Sequence, residues 1–405
     1  MLDINRTYFW LFCFMVVGLL VEPVLFKPTD ELCLFSFAIL GFFDMIYNRR
    51  WREYTLFYIS LGVMSFYLFY SMLFLSYNIK WAIINDFIIQ MKPFIAFSIA
   101  YAVSPKFSQK ERCILKNVVR VLSICSLLLM LTGLYRYILY HPYYQGLLCV
   151  GCGIVYLLVT YEEQNSHKWN KKDILWAVAI FSMGLACTRA KYYGFFVFAM
   201  FMLLIYKPGI ANLKNMRNMM VLLVVLIGVI VVSWSKIEYY FIKGNADTFD
   251  PEVAASFARP VLYGAFFLVL SDHLLFGSGL ASFATYFSSA DINYSSLYYR
   301  YNLDAVWGLS PTFDAFIADT FYPELAQFGL VGIFLFFLFF WWIWQQYRLL
   351  LHNGYICLFT IGVLGLLFLM IDSIANCAIL QISGELIMVV LGIVVSNTKK
   401  INKEC

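Results

Sequence analysis

The stretch Cys187–Gly194 reads CTRAKYYG, and it sets Arg189 and Lys191 two residues apart between the apolar runs ILWAVAIFSMGLA and FFVFAMFMLLIY. Two cations at the tip of an apolar hairpin suit an anion with several oxygens. The guanidinium fork matches phosphate geometry and the lysine adds a point charge. No carboxylate stands nearby in sequence, the nearest being Asp173 and Glu238, so the counter-charge comes from the fold or from a ligand. The alternative reading is that both cations snorkel to lipid headgroups. Arg259, in FARP at the start of a later apolar helix, returns to the same side, so three cations could converge on one diphosphate. Arg300, in YYRYN, is a further candidate, with a solvated loop residue as its alternative. Lys92, followed by Pro93 inside an apolar run, combines an embedded charge with freed backbone groups and so either faces a cavity or snorkels outward.

The elements that must position these residues are membrane helices. The chain has 405 residues, 62% of them hydrophobic and 13% charged, too apolar for a water-soluble exterior. A bilayer core about 30 Å thick needs about 20 apolar residues per spanning helix. Runs of that kind recur near 8–26, 31–47, 54–77, 84–103, 114–138, 143–161, 173–187, 190–206, 218–235, 326–347, 354–372 and 377–396, predicting an all-α polytopic membrane protein with about 12 transmembrane helices. Placing the N-terminus in the cytoplasm puts 18 of the 29 Lys and Arg in cytoplasmic segments, as the positive-inside rule requires, and makes both termini cytoplasmic. The net charge of +5 then follows from topology and gives no support for nucleic-acid binding. The first run lacks a small-residue cleavage site and reads as a retained helix.

The chain divides into residues 1–235 with helices 1 to 9, one long extracytoplasmic loop at 236–325, and residues 326–405 with helices 10 to 12 and a cytoplasmic tail. Within the loop, ARPVLYGAFFLVLSDHLLFGSG is too short and interrupted to span and predicts a helix at the interface. The adjoining DINYSSLYYRYNLDAVWGLSPTFDAF is rich in Tyr, Trp, Ser and Asp, a composition suited to a sugar-contacting surface. Cys149 and Cys152 have redox-motif spacing but lie in an apolar run, which favours packing over disulfide or metal chemistry. Asp372 and Asn376 read as turn chemistry between the last two helices.

Three segments together resemble the O-antigen ligase and Wzy-type polysaccharide polymerase superfamily. TRAKYYGFFVFAMFMLL is similar to its SRG or TRS segment, RPVLYGAFFLVLSDHLLFGSGLASF to the arginine and glycine-rich segment of its long periplasmic loop, and ADTFYPELAQFGLVGIFLFF to its closing segment. The resemblance implies a GT-C-like fold and a metal-independent inverting glycosyltransferase, without cofactor, at the outer face of the bacterial inner membrane. Its substrate would be a polyprenyl (undecaprenyl) pyrophosphate-linked glycan, its setting membrane lipid, and its partners a flippase and a chain-length regulator. Carried over, Arg189 and Arg259 hold the pyrophosphate leaving group. Where ligases carry a catalytic His, this chain has Ala318 or Asp319, which favours a polymerase over a ligase.

That chemistry requires a stabiliser for the departing charge and a base for the acceptor hydroxyl. Arg189, Arg259 and Lys191 serve the first. Asp319 is the candidate for the second, with Asp314 and Glu324 as substitutes and a helix N-cap for TFYPEL as the competing role of Asp319. His273 and His141 read as structural or as proton carriers. Tyr294, Tyr298, Tyr299, Tyr301 and Trp307 could stack on sugars or anchor at the interface. A lipid-linked oligosaccharide flippase is the alternative from another class. It needs access from both leaflets, whereas the cations here lie on one side and no internal duplication is present.

Overall fold

The computed structural model describes residues 3–22, 28–75, 77–164, 169–206, 227, 234 and 258–399. Among these residues the chain is helical, and its one β contact is an isolated bridge between Ser310 and Phe313. A helix satisfies its own backbone N–H and C=O groups, which a chain this apolar needs in lipid. The longer helices in chain order are α1 Ile4–Val21, α2 Thr29–Tyr47, α3 Thr55–Phe74, α4 Lys80–Val103, α5 Gln109–Thr132, α6 Tyr143–Gln164, α7 Lys171–Met183, α8 Ala190–Met200, α9 Ala258–Asp272, α10 Gly329–His352, α11 Ile356–Asp372 and α12 Ile382–Ser396.

Among the described residues six stretches are long and apolar enough to cross a membrane: Ile4–Val21, Trp51–Phe74, Lys80–Val103, Gln109–Thr132, Tyr143–Tyr161 and Phe321–His352. With the shorter apolar helices Ala190–Ile205, Ile356–Asp372 and Ile382–Ser396, they make this a polytopic membrane protein. The expected span 218–235 lies outside the described residues apart from positions 227 and 234, as do 236–257 of the expected loop and the tail beyond 399.

Two expected boundaries move for local reasons. The span expected at 114–138 starts earlier, because Ser108 and Glu111 form a reciprocal capping box, and stops at Thr132, where Gly133 adopts a left-handed conformation. The last expected span, 377–396, begins as a short tight turn at Ala378–Leu380, and α12 proper starts at Ile382.

The core sits around α12, whose residues are buried along its whole length and which packs most extensively on α4. Gly392 permits that contact, since a side chain there would meet the α4 backbone at Phe97 and Tyr101. Large apolar side chains such as Phe35, Leu73, Phe74 and Phe334 point outward, as a lipid-facing surface requires.

The lengths of α4 and α12 set the depth of the α11–α12 turn. At one end the Ser104 hydroxyl, just past α4, donates to Ser396 at the end of α12 at 3.0 Å. From that shared end α4 runs 24 residues and α12 only 15, so α12 starts about 13 Å short of the far end of α4 at 1.5 Å per residue. The turn that leads into α12 is therefore recessed.

Residues 273–320 form a lobe against the α3–α4 turn. Asn78 donates to the carbonyls of Ala281, Phe287 and Asn293 at 2.7, 2.9 and 3.0 Å, and Asp86 accepts from Ala281 N and Thr285 Oγ1, both at 2.6 Å. Backbone carbonyls of an irregular segment must find donors when buried, and one asparagine serves three of them.

Candidate functional site

The tip between α7 and α8 is a break that the backbone makes explicit. Thr188 takes a left-handed conformation (φ 53°), and Arg189 is the extended residue preceding the first residue of α8. Arg189 projects outward to the ring nitrogen Nε2 of His141, from the segment before α6. Lys191, two residues on, lies 2.7 Å from Asp372 at the end of α11 and 4.3 Å from the ring centre of Tyr143, and its ammonium also approaches the Ala375 carbonyl at 3.4 Å. The counter-charge that the sequence left open for Lys191 is thus supplied by the fold.

Asp372 and Asn376 do more than shape a turn. Asp372 accepts from the Tyr143 hydroxyl at 2.6 Å and from Asn376 Nδ2 at 2.9 Å, while Asn376 also donates to Tyr143. Gln381 fixes Asn376 by two reciprocal bonds of 3.1 Å. The result is a recessed polar cluster on the α11–α12 turn, with Lys191 as its cation.

Arg259, in the first turn of α9, binds Asp319 through Nε at 2.7 Å and through a terminal guanidinium nitrogen. Its guanidinium also sits 5.6 Å from the centre of the Phe316 ring. Phe316 belongs to an aromatic ledge in which the Trp307 ring lies 4.8 Å from Phe313 and 5.5 Å from Phe316, with Trp307 exposed at its edge.

The two groups meet at the α11–α12 turn. Tyr263, one helical turn after Arg259, donates to the Ile374 carbonyl at 2.8 Å, and Phe321 N donates to the Ser373 carbonyl at 3.2 Å. Lys191 reaches Ala375 in the same turn. Burial pushes the Asp319 carboxyl above its ordinary value, Arg259 and Lys191 pull it back, and Asp372 adds to the rise, so the Arg259 pair and the Lys191 cluster sense one another. At His141, burial and then the charges of Arg189 and Lys191 hold the imidazole below its ordinary value.

Chemically, this arrangement offers three cations, each held by a partner that an anion can replace, beside a carboxylate and an imidazole. An apolar cleft of about 380 Å³, lined by Gly194, Phe198, Leu367, Ile371 and Ile374, opens directly under Lys191. A separate cleft of about 270 Å³ lies between α3, α4 and α10, but its lining carries no charged side chain. No group of three or more metal-ligating side chains with suitable geometry is present among the described residues.

Several sequence expectations need correction. Asp319 is not a helix cap: Thr320 precedes the short Phe321–Glu324 turn, no side chain caps it, and Asp319 is turned to Arg259. Tyr298 is fully buried, with its hydroxyl bound to Ser288 Oγ and Ala284 N, so it stacks on no ligand and serves as the lobe's core. Arg300 and His273 form a separate group around Tyr77, at 3.0 Å and 2.7 Å from its hydroxyl, with Asp272 3.0 Å from Arg300. Lys92 faces carboxylates of α2 and α12 in place of an open cavity. Glu324 is buried against Gln90 and Cys377, and Asp314 accepts from Ala290 N at 2.6 Å, so neither joins Asp319. Cys149 and Cys152, by contrast, are buried free thiols, as expected from their apolar run.

Tyr143, Asp372, Asn376 and Gln381 were invisible as site residues, since each looks like ordinary helix-end chemistry until the fold gathers them. No known family model matches the chain, and no curated protein matches its sequence.

Proposed function

We propose that this chain is a polysaccharide polymerase that joins polyprenyl-pyrophosphate-linked oligosaccharide units at the outer face of the bacterial inner membrane. In this reading it has about 12 spans in a GT-C-like arrangement, cytoplasmic termini, and the lobe and its helix α9 outside. The observation that supports it is that Lys191 and the helix carrying Arg259 both reach one recessed turn, with Arg189 at the same hairpin tip as Lys191, beside an apolar cleft of about 380 Å³. Membrane depth, anion-binding charge and a greasy groove together fit a lipid diphosphate better than a soluble anion.

The reaction requires the acceptor sugar hydroxyl to attack the anomeric carbon of the donor. The bond from that carbon to the diphosphate oxygen breaks, and the lipid diphosphate leaves with the electron pair. The diphosphate competes with Asp319 for Arg259 and with Asp372 for Lys191, so donor binding itself releases a carboxylate to accept the hydroxyl proton. Fixed cations stabilise the departing charge in a partly dehydrated site without a metal ion. The ledge of Trp307, Phe313 and Phe316 leads from solvent to Arg259 and offers the acceptor glycan a stacking surface.

The test is the length distribution of surface polysaccharide in cells lacking the protein and complemented with wild type, Arg189→Ala, Arg259→Ala or Asp319→Ala. A single repeat unit on its final anchor supports polymerisation. Long chains that stay on the polyprenyl carrier identify a ligase, and repeat units accumulating on the inner face identify a flippase.

A further inference from the structure

Far along α4 from its start, Lys92 is buried, with Pro93 after it. Its ammonium lies 2.6 Å from Asp30 and 2.6 Å from Glu31, both in the first turn of α2, and 3.7 Å from Glu385 in the first turn of α12. Glu385 is 0% exposed, and neither of its carboxyl oxygens has a hydrogen-bond partner among the described residues. The strongest charges acting on it are Lys92, Asp30, Glu22 and Glu31, one cation against three carboxylates. Cys33 of α2 lies within electrostatic range of the same carboxyl, and Tyr144 of α6 within range of Glu22.

An ionised carboxylate without a donor inside a membrane protein carries a large desolvation penalty. Lys92, 3.7 Å away, offsets part of it, but its short contacts go to Asp30 and Glu31. Protonation of Glu385 removes the rest.

We propose that this cluster is an intramembrane proton-binding site with Glu385 as the carrier, holding the neutral acid at neutral pH. On deprotonation the proton leaves by way of Glu31, the partly exposed member, and Lys92 moves from Asp30 and Glu31 toward the new carboxylate. Glu385 lies one turn after Gln381, whose two bonds hold Asn376 in the α11–α12 turn. This assignment is independent of the glycosyl-transfer reading.

Infrared spectra of the full-length protein in lipid nanodiscs test it, using the carbonyl stretch of protonated carboxyl groups and ¹³C-glutamate labelling to assign it to glutamate. The expected result is a protonated-glutamate band at neutral pH that Glu385→Gln removes. A band unchanged in Glu385→Gln, or no glutamate band in wild type, overturns the proposal. If Glu385→Gln does not fold, the double variant Glu22→Gln/Glu324→Gln decides. Glu22 belongs to the same cluster, and Glu324 is buried elsewhere among the described residues, with the Gln90 amide as a donor to its carboxyl. A glutamate band that persists in the double variant supports Glu385, and complete loss of the band there overturns it.

Discussion

Arg259 and Asp319 stand 60 residues apart in sequence and are joined by two guanidinium contacts on one carboxylate oxygen, the Nε contact at 2.7 Å. The pair is half open to solvent, with side-chain exposures of 40% and 24%, so its own contribution to stability is small and an incoming anion can displace it. Arg259→Ala is expected to lower the rate of glycan transfer from a lipid diphosphate about 10²- to 10³-fold, the loss typical of one fixed donor to a developing anion. Purified variants assayed with a labelled lipid-linked glycan check this. The double variant with Asp319→Asn should lose less than the product of the two single losses, because each residue restrains the other.

The pH profile separates the two candidate bases. A base works deprotonated, so the rate rises with pH through its pKa. Burial raises that of Asp319, which moves the acid limb above the range of an ordinary aspartate. Donor binding draws Arg259 away and adds negative charge, so the limb of kcat should lie at higher pH than that of kcat/KM. Asp319→Asn should abolish the limb with most of the activity, and His141→Gln should leave it in place. A limb that vanishes in His141→Gln would make His141 the base.

Much of the architecture was legible in the sequence because apolar run length is a direct reading of bilayer thickness. The hairpin tip at Arg189 and the helix that begins around Arg259 were also legible, since a charge between apolar runs has few places to go. The partners were not. Asp372 pairs with Lys191 from 181 positions further along the chain, and nothing local at a helix end announces a contact of that kind. Tyr298 misled for the complementary reason: its loop is rich in exposed aromatics, and only the fold distinguishes the ring inside the lobe from Trp307 at its surface.

Lys191 and Asp372 yield a stability test. Asp372 is nearly buried, and its partner is 22% exposed. Lys191→Met leaves that carboxylate without its cation and should destabilise the protein by about 1–3 kcal/mol. Adding Asp372→Asn should restore the melting temperature in detergent without restoring transfer activity, which would separate the structural role of the pair from the anion-binding role of the lysine.

Gly329 starts α10 with φ 60°, and an added side chain would meet the backbone of Leu275 and Gly277. Gly329→Ala should therefore cost about 1–3 kcal/mol from the backbone alone, because φ 60° with ψ −170° is a region essentially only glycine adopts. The lobe should separate from α10 first, seen as faster proteolysis within 273–320 than within α10.

Trp307 is 64% exposed, yet it packs on Phe313 and through Phe316 reaches Arg259. An exposed indole contributes little to folding, so Trp307→Ala should leave the melting temperature close to that of wild type. If the ledge carries the acceptor glycan, losing one aromatic face should remove about 0.5–1.5 kcal/mol of binding. That corresponds to roughly a two- to tenfold rise in the KM for acceptor, since about 1.4 kcal/mol is a factor of ten. In the proposed reading the diphosphate of the donor lipid would meet the cations and its chain the cleft beside Lys191, so the KM for the donor should not change. Trp307→Phe should recover most of the acceptor affinity. Equal changes in both KM values would instead tie Trp307 to Arg259 through Phe316 and remove the ledge as a sugar platform.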